Sequence, residues 1–199
     1  MGGVRIVGGE LSGRRIDAPR GAATRPTSDK VRQAIFNRVA HAAFAAPEPD
    51  GGRLGGPVLD LYAGSGALGL EALSRGAPRC DFVDSGQEAC AAIRANLAAL
   101  GLEARAGVIA ATAEAFLRGR PRPYRLVFAD PPYAEAAALT RALARLAGGW
   151  LEPDALVIVE HEAHAAPRPD GLVLIDERRY GQTAIGFFAS ATRVISEGA

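Results

Sequence analysis

Cysteine is scarce in this 199-residue chain. There are two, Cys80 and Cys90, and they form no C-x-x-C pair, which excludes a disulfide framework and a thiolate metal site. The remaining expectation is one buried strand thiol and one helix thiol in a reducing compartment. Histidine is also scarce. His41, His161 and His164 are too dispersed for a metal centre or a Ser-His-Asp triad, and His161 is expected to be solvated. No run of about 18 apolar residues is present, and the N-terminus carries no apolar leader, so a soluble, cytoplasmic protein is expected, with no membrane partner. Internal repeats and low-complexity tracts are absent apart from a general richness in alanine.

Hydrophobic residues make up 48% of the chain, enough for the core of one α/β domain with a small extra piece. The net charge is only +1, yet it is unevenly placed. Residues 1–38 hold eight basic side chains (Arg5, Arg14, Arg15, Arg20, Arg25, Lys30, Arg32 and Arg38) against Glu10, Asp17 and Asp29. That end is therefore net +5 and the rest net −4. A basic arm on a mildly acidic body fits a polyanionic partner met at one end, and it equally fits a solvated basic surface.

The chain is organised around Val58 to Glu71, V-L-D-L-Y-A-G-S-G-A-L-G-L-E. A short apolar run reads as a buried strand; Gly64, Gly66 and Gly69 follow within six residues; a helix then begins. Strand, glycine turn and helix together hold a nucleotide-like ligand at the carboxyl end of a parallel sheet. G-x-G-x-x-G is also the dinucleotide fingerprint, so a NAD-type reading stays open. Asp60, four residues before the first glycine, tilts the balance. An acid there suits a cation better than a pyrophosphate, and S-adenosylmethionine carries a sulfonium.

Taken in order, residues 4–18 read as a small β-ribbon, too short for its own core. Gly21 to Pro26 is a loop, and Thr27 or Ser28 caps a helix reaching about Phe44. Residues 45–56 are a connector, which divides the chain into an N-terminal extension, 1–45, and a main domain, 57–199. Strands are expected at 57–61, 79–84, 104–109, 124–129 and 155–160. Helices are expected at 67–75, 86–100 and 135–147, with a helical turn at 113–118. Residues 172–175 and 184–189 then form an antiparallel hairpin. Trp150 and Tyr62 read as packing residues, Tyr62 lying beside the glycine loop, and Glu71 as a first-turn acid steadying that loop.

Asp130-Pro131-Pro132-Tyr133 follows the 124–129 strand. Prolines stiffen the backbone and donate no hydrogen bonds, so the Pro131 carbonyl is held out as an acceptor. Asp130 adds carboxylate acceptors and Tyr133 a flat face. Two acceptors and a stacking platform suit the exocyclic amino group of a planar base, whose lone pair is delocalised into the ring. The same four residues also make an ordinary turn after a strand. Asp84 ends the 79–84 strand about 20 residues after Gly64, where an acid meets ribose hydroxyls in either cofactor reading.

The chain resembles the amino-methylating class I methyltransferases, and more narrowly the bacterial 16S rRNA guanine-N2 methyltransferase family RsmD. The matching pieces are R-I-V-G-G at 5–9, G-R-R at 13–15, T-R-P-T-S-D-K-V-R at 24–32, Phe36-Asn37, D-L-Y-A-G-S-G-A-L-G-L-E-A-L-S-R-G-A at 60–77, Asn96-Leu97, D-P-P-Y at 130–133, Glu160 and Tyr180-Gly181. The resemblance implies a Rossmann-like fold, a mostly parallel seven-stranded sheet with an antiparallel C-terminal hairpin. It implies S-adenosylmethionine as methyl donor and N2 of a guanine in 16S rRNA as acceptor, on a small ribosomal subunit assembly intermediate, with the enzyme a monomer. Asp130, Pro131, Pro132 and Tyr133 would be catalytic. Asp60, Tyr62, Ala63, Gly64, Ser65, Gly66, Asp84, Ser85, Thr112, Ala113 and Asp130 would hold the cofactor, and Arg25, Thr27, Lys30 and Arg32 the RNA. Gly86 and Thr112 stand where the family commonly carries an acid and an Asp or Asn. The alternatives are a DNA adenine-N6 or cytosine-N4 methyltransferase, a NAD-binding oxidoreductase and a non-catalytic ribosome-binding factor.

Overall fold

The computed structural model describes residues 4–19, 28–41, 54–132 and 135–192. A two-stranded antiparallel ribbon, β1 (Val4–Arg5) and β2 (Arg15–Ile16), opens the chain. Helix α1 (Asp29–His41) follows, and the Ser28 hydroxyl accepts the Val31 N–H at its start. The main domain then alternates β3 (Val58–Leu61), α2 (Ala67–Ser74), β4 (Cys80–Asp84), α3 (Gln87–Leu100), β5 (Ala106–Ala110), α4 (Ala113–Phe116), β6 (Tyr124–Ala129) and α5 (Ala136–Leu146). Three long strands close it: β7 (Leu151–Glu162), β8 (Leu172–Tyr180) and β9 (Thr183–Ser190).

Among the described residues, seven strands form one sheet in the order β5-β4-β3-β6-β7-β9-β8. The first five are parallel, and β9 runs antiparallel to both β7 and β8. This is the architecture expected above. Two apolar layers sandwich the sheet. Alternation along each strand sends Val58, Cys80, Phe82, Leu126 and Phe128 to one face, and Leu59, Leu61, Val83, Val127 and Ala129 to the other. The first layer is completed by α1, α2, α3 and the ribbon, through Ile6, Ile16, Ile35 and Phe36. The N-terminal extension thus shares the core of the main domain. The second layer is completed by α4 and α5, with Trp150 stacked on Tyr124. Cys80 and Cys90 are both buried.

Element limits differ from expectation mainly at the C-terminal end. β7 begins four residues earlier than expected because a bulge, between the Tyr124–Leu151 and Leu126–Leu156 pairs, carries it past Pro153 and Asp154. It runs on to Glu162 because β9 keeps pairing there, beyond the end of β6. β8 takes in the charged run Asp176–Arg179 because β9 pairs with it. Cross-strand pairing overrides the local pattern at both places.

Gly69 decides how closely α2 meets the sheet. A Cβ there would overlap the Phe82 ring and crowd the Cys80 sulfur. Gly69→Ala should therefore destabilise the fold by about 1–3 kcal/mol through overpacking. Combining it with Phe82→Leu should cost less than the sum of the two single changes, measured by urea denaturation.

Candidate active site

Register aligns the ends of three adjacent strands. Leu61 of β3 lies level with Val83 of β4 and Ala129 of β6. One residue beyond that row, Asp84 and Asp130 flank the end of β3, and the glycine turn rises between them. The crevice between β3 and β6 is the switch point of the sheet, where open α/β folds take their ligands. Asp60, Asp84 and Asp130 share the strand face that carries α2 and α3, because their positions alternate with Leu61, Val83 and Ala129.

The turn is fastened from beneath by carboxylates. Asp84 accepts the Gly64 N–H through Oδ2 and the Gly86 N–H through Oδ1, both at 2.8 Å. Asp60, almost wholly buried, accepts the Gly69 N–H at 2.9 Å. The Ala63 N–H reaches the Val83 carbonyl, and the Ala63 carbonyl accepts from Gly66. Gly64 and Gly66 both adopt positive φ, 54° and 77°. Tyr62 does too, at 59°, uncommon for a bulky residue and sustained only where the surroundings enforce it. Its ring packs on the second apolar layer. Burial, with Glu135 and Glu114 nearby, pushes its hydroxyl pKa up to about 12.

Electrostatics mark the same spot. Burial holds the Asp60 carboxyl well above the ordinary carboxylate range, opposed by the Gly69 N–H and reinforced by the charges of Asp130 and Asp84. The charges of Asp84 and Asp130 at this edge favour a cation and repel a pyrophosphate. Past β6, Pro131 is buried and Pro132 exposed, and the Pro132 carbonyl accepts the Glu135 N–H at 2.8 Å, closing a turn into α5. Tyr133 lies outside the described residues, as do Arg25 and Thr27.

Thr112 and Ala113 approach Asp84 from the next strand, since the Ala111 N–H donates to the Asp84 carbonyl. The Thr112 hydroxyl caps α4 by accepting the Ala115 N–H, and Ala113 is buried. Ser85 is exposed at the rim and Gly86 caps α3. The structure therefore brings the glycine turn, Asp60, Asp84, Ser85, Thr112, Asp130, Pro131 and Pro132 to one edge.

Three expectations are corrected. Arg32 is 1% exposed; its Nη2 bonds the Arg5 carbonyl and the Asp29 carboxylate, tying α1 to the ribbon. Burial withdraws it from RNA phosphates, whereas Lys30 is exposed. His161 is buried rather than solvated, its Nδ1 2.8 Å from the Glu162 carbonyl. Pairing of β7 with β9 past the end of β6 encloses it. Glu71 is not a first-turn acid: fully buried in α2, it accepts the Val7 N–H at 2.7 Å and pairs with Arg75 at 2.8 Å.

Asn96 was given no role from the sequence. It is buried on α3 between Ile93 and Leu97, and its carboxamide meets both Asp17 and the Ser65 carbonyl. The available signal was an asparagine within the apolar stripe of a helix.

Known proteins share this arrangement. The family model described as conserved hypothetical protein 95 matches residues 4–189. Over 192 residues, 93% of this chain and 98% of the relative, the chain is 38% identical to YlbH of Bacillus subtilis (strain 168). Over 161 residues, 81% of this chain and 76% of the relative, it is 35% identical to ribosomal RNA small subunit methyltransferase D of Escherichia coli (strain K12). The solved structure of yhhF from Escherichia coli has a TM-score of 0.79 at 33% identity, covering 95% of this chain and 98% of that one. The fold is that of the class I methyltransferases. The chain belongs to the conserved hypothetical protein 95 family, that of the ribosomal RNA small subunit methyltransferase D proteins, and it is a methyltransferase.

Proposed function

We propose that this protein methylates the exocyclic N2 of a guanine in 16S rRNA, using S-adenosylmethionine, in the cytoplasm and as a monomer acting on a small-subunit assembly intermediate. The observation that carries the reading is the pairing of Asp84 and the glycine turn on one side of β3 with Asp130-Pro131-Pro132 on the other. Among the described residues no helix is long and apolar enough to cross a membrane.

The residues present fit the cofactor. Positive-φ glycines leave the turn open to close approach, and the acids around it suit a sulfonium and an α-ammonium. The Gly64–Gly66 turn and Asp60 would cradle the amino-acid portion, Asp84 the ribose, and Ser85, Thr112 and Ala113 the adenine end. When bound, S-adenosylmethionine supplies an electrophilic methyl group.

Activation of the base falls to the chain. A guanine amino group is a weak nucleophile because its lone pair feeds the ring. Asp130 accepts one N–H and the Pro131 carbonyl the other, which turns the lone pair toward the methyl group. Tyr133 stacks on the base. As the nitrogen gains positive charge, the Asp130 carboxylate stabilises it, and the surplus proton passes from N2 to solvent water. Holding both reactants in line supplies much of the rate. Lys30, with Arg25 and Thr27, meets the RNA backbone; the relatives, named for ribosomal RNA, favour RNA over duplex DNA.

S-adenosylmethionine and its demethylated product should raise the melting temperature, by up to about 2.7 kcal/mol of added stability at 100 times Kd, while NAD leaves it unchanged. A shift with NAD alone would overturn the assignment. Asp84→Ala should weaken cofactor binding by about 1–3 kcal/mol, read by calorimetry.

Asp130→Asn should lower single-turnover methylation of small-subunit RNA by about 10²–10³-fold at saturating cofactor, and Asp130→Ala by more. Tyr133→Phe should be mild. Nucleoside analysis of the product tests the acceptor atom; N6-methyladenine in place of N2-methylguanine would refute the guanine reading. Lys30→Ala should weaken RNA binding and flatten its salt dependence, whereas Arg32→Ala should lower the melting temperature.

A further inference from the structure

The N-terminal segment grips both helices that border the cofactor turn. Toward α2, Glu71 accepts the Val7 N–H, and Ser74 accepts from Leu11 while its hydroxyl donates to the Gly8 carbonyl. Toward α3, Arg14 donates to the Ala99 carbonyl. The last grip is Asn96. Its Oδ1 accepts the Asp17 N–H at 2.8 Å, and its Nδ2 donates to the Asp17 carbonyl at 2.9 Å and to the Ser65 carbonyl at 3.2 Å. Both amide hydrogens and the oxygen are used, and the residue is 4% exposed.

The three bonds call for a carboxamide. A carboxamide offers an acceptor and two donors, and mimics a strand partner for Asp17 while reaching Ser65. Aspartate would set a carboxylate against two carbonyl oxygens. Leucine would leave one N–H and two carbonyls of the main chain without their partner. Ser65 stands between Gly64 and Gly66 in the cofactor turn, and three residues after Asp17 the segment with Arg20, Arg25 and Lys30 begins.

We infer that Asn96 is a positioning residue that couples the cofactor turn to the root of the RNA-binding segment, so that cofactor and RNA each strengthen binding of the other. A ligand that settles the turn fixes the Ser65 carbonyl, and with it the amide that pairs with Asp17. The coupling is reciprocal by linkage, and couplings of this kind span about 5–150-fold. The inference takes RNA as second ligand from the proposed function, but the link between Ser65 and Asp17 stands on its own bonds.

Amide hydrogen exchange tests that link without RNA. In the wild-type protein, saturating S-adenosylhomocysteine should slow exchange at the Asp17 N–H at least about 5-fold. In Asn96→Ala and in Asn96→Asp, the latter keeping side-chain size and the acceptor for Asp17, saturating ligand should leave that exchange unchanged while still protecting the turn at Gly64 and Gly66. A destabilised protein would exchange faster everywhere, with and without ligand, and would not lose the ligand response at Asp17 alone. The second measurement is the affinity for a small-subunit RNA fragment, with and without S-adenosylhomocysteine. Wild-type affinity should rise about 5-fold or more, and the ratio should fall to near one in both variants. Equal slowing of Asp17 exchange in variants and wild type, or none in the wild type, overturns the coupling. If the wild-type protein binds no RNA, the functional reading fails and the exchange result alone decides the coupling.

Discussion

Two carboxylates beneath a glycine turn set the geometry on which the rest of the site depends. Asp84 holds the Gly64 N–H and Asp60 the Gly69 N–H, so strands β3 and β4 reach up and fix the turn and the first part of α2. The amides of a turn this rich in glycine would otherwise sample many conformations. Two hydrogen bonds to acid side chains narrow that freedom and preorganise the turn. The cost is a buried acid: Asp60 sits where burial and two further carboxylates oppose its ionisation. A cation bound beside it would favour the ionised form.

Among the described residues, the N-terminal extension contributes Ile6, Ile16, Ile35 and Phe36 to the main apolar layer. Its polar side chains are spent on the same joint. Arg32 is enclosed between the ribbon and the start of α1, and Arg75 lies over the ring of Phe36 while paired with the buried Glu71. Removing Arg75 would leave the fully buried Glu71 without its cation, which costs more than the pair contributes. Cations that count toward a basic arm by composition thus divide into those that hold the arm, such as Arg32, and those that face solvent, such as Lys30.

Much of this was legible from local pattern. Apolar runs of four to six residues with glycine and helix signals between them specify parallel strands and crossovers, because a chain with those periods buries its apolar surface in few other ways. V-L-D-L-Y-A-G-S-G and D-P-P were legible as strand ends, since glycine and proline announce backbone geometry locally. Charge, by contrast, was misleading for Arg32. Whether a guanidinium is solvated depends on what folds over it, and here the ribbon lies 27 residues away in sequence.

The sequence by itself determined the alternation of strands and helices, the position of the glycine turn and the acids at the ends of β3, β4 and β6, because these follow from periodicity and from residues with restricted or unusual backbones. Only the tertiary structure decided which acid holds which amide, how far β7 and β8 run, that His161 and Arg32 are enclosed, and that Asn96 bridges Asp17 and Ser65. Several of those features arise from partners 20 to 79 residues apart, and a hydrogen bond across such a separation leaves no mark on the local pattern of either residue.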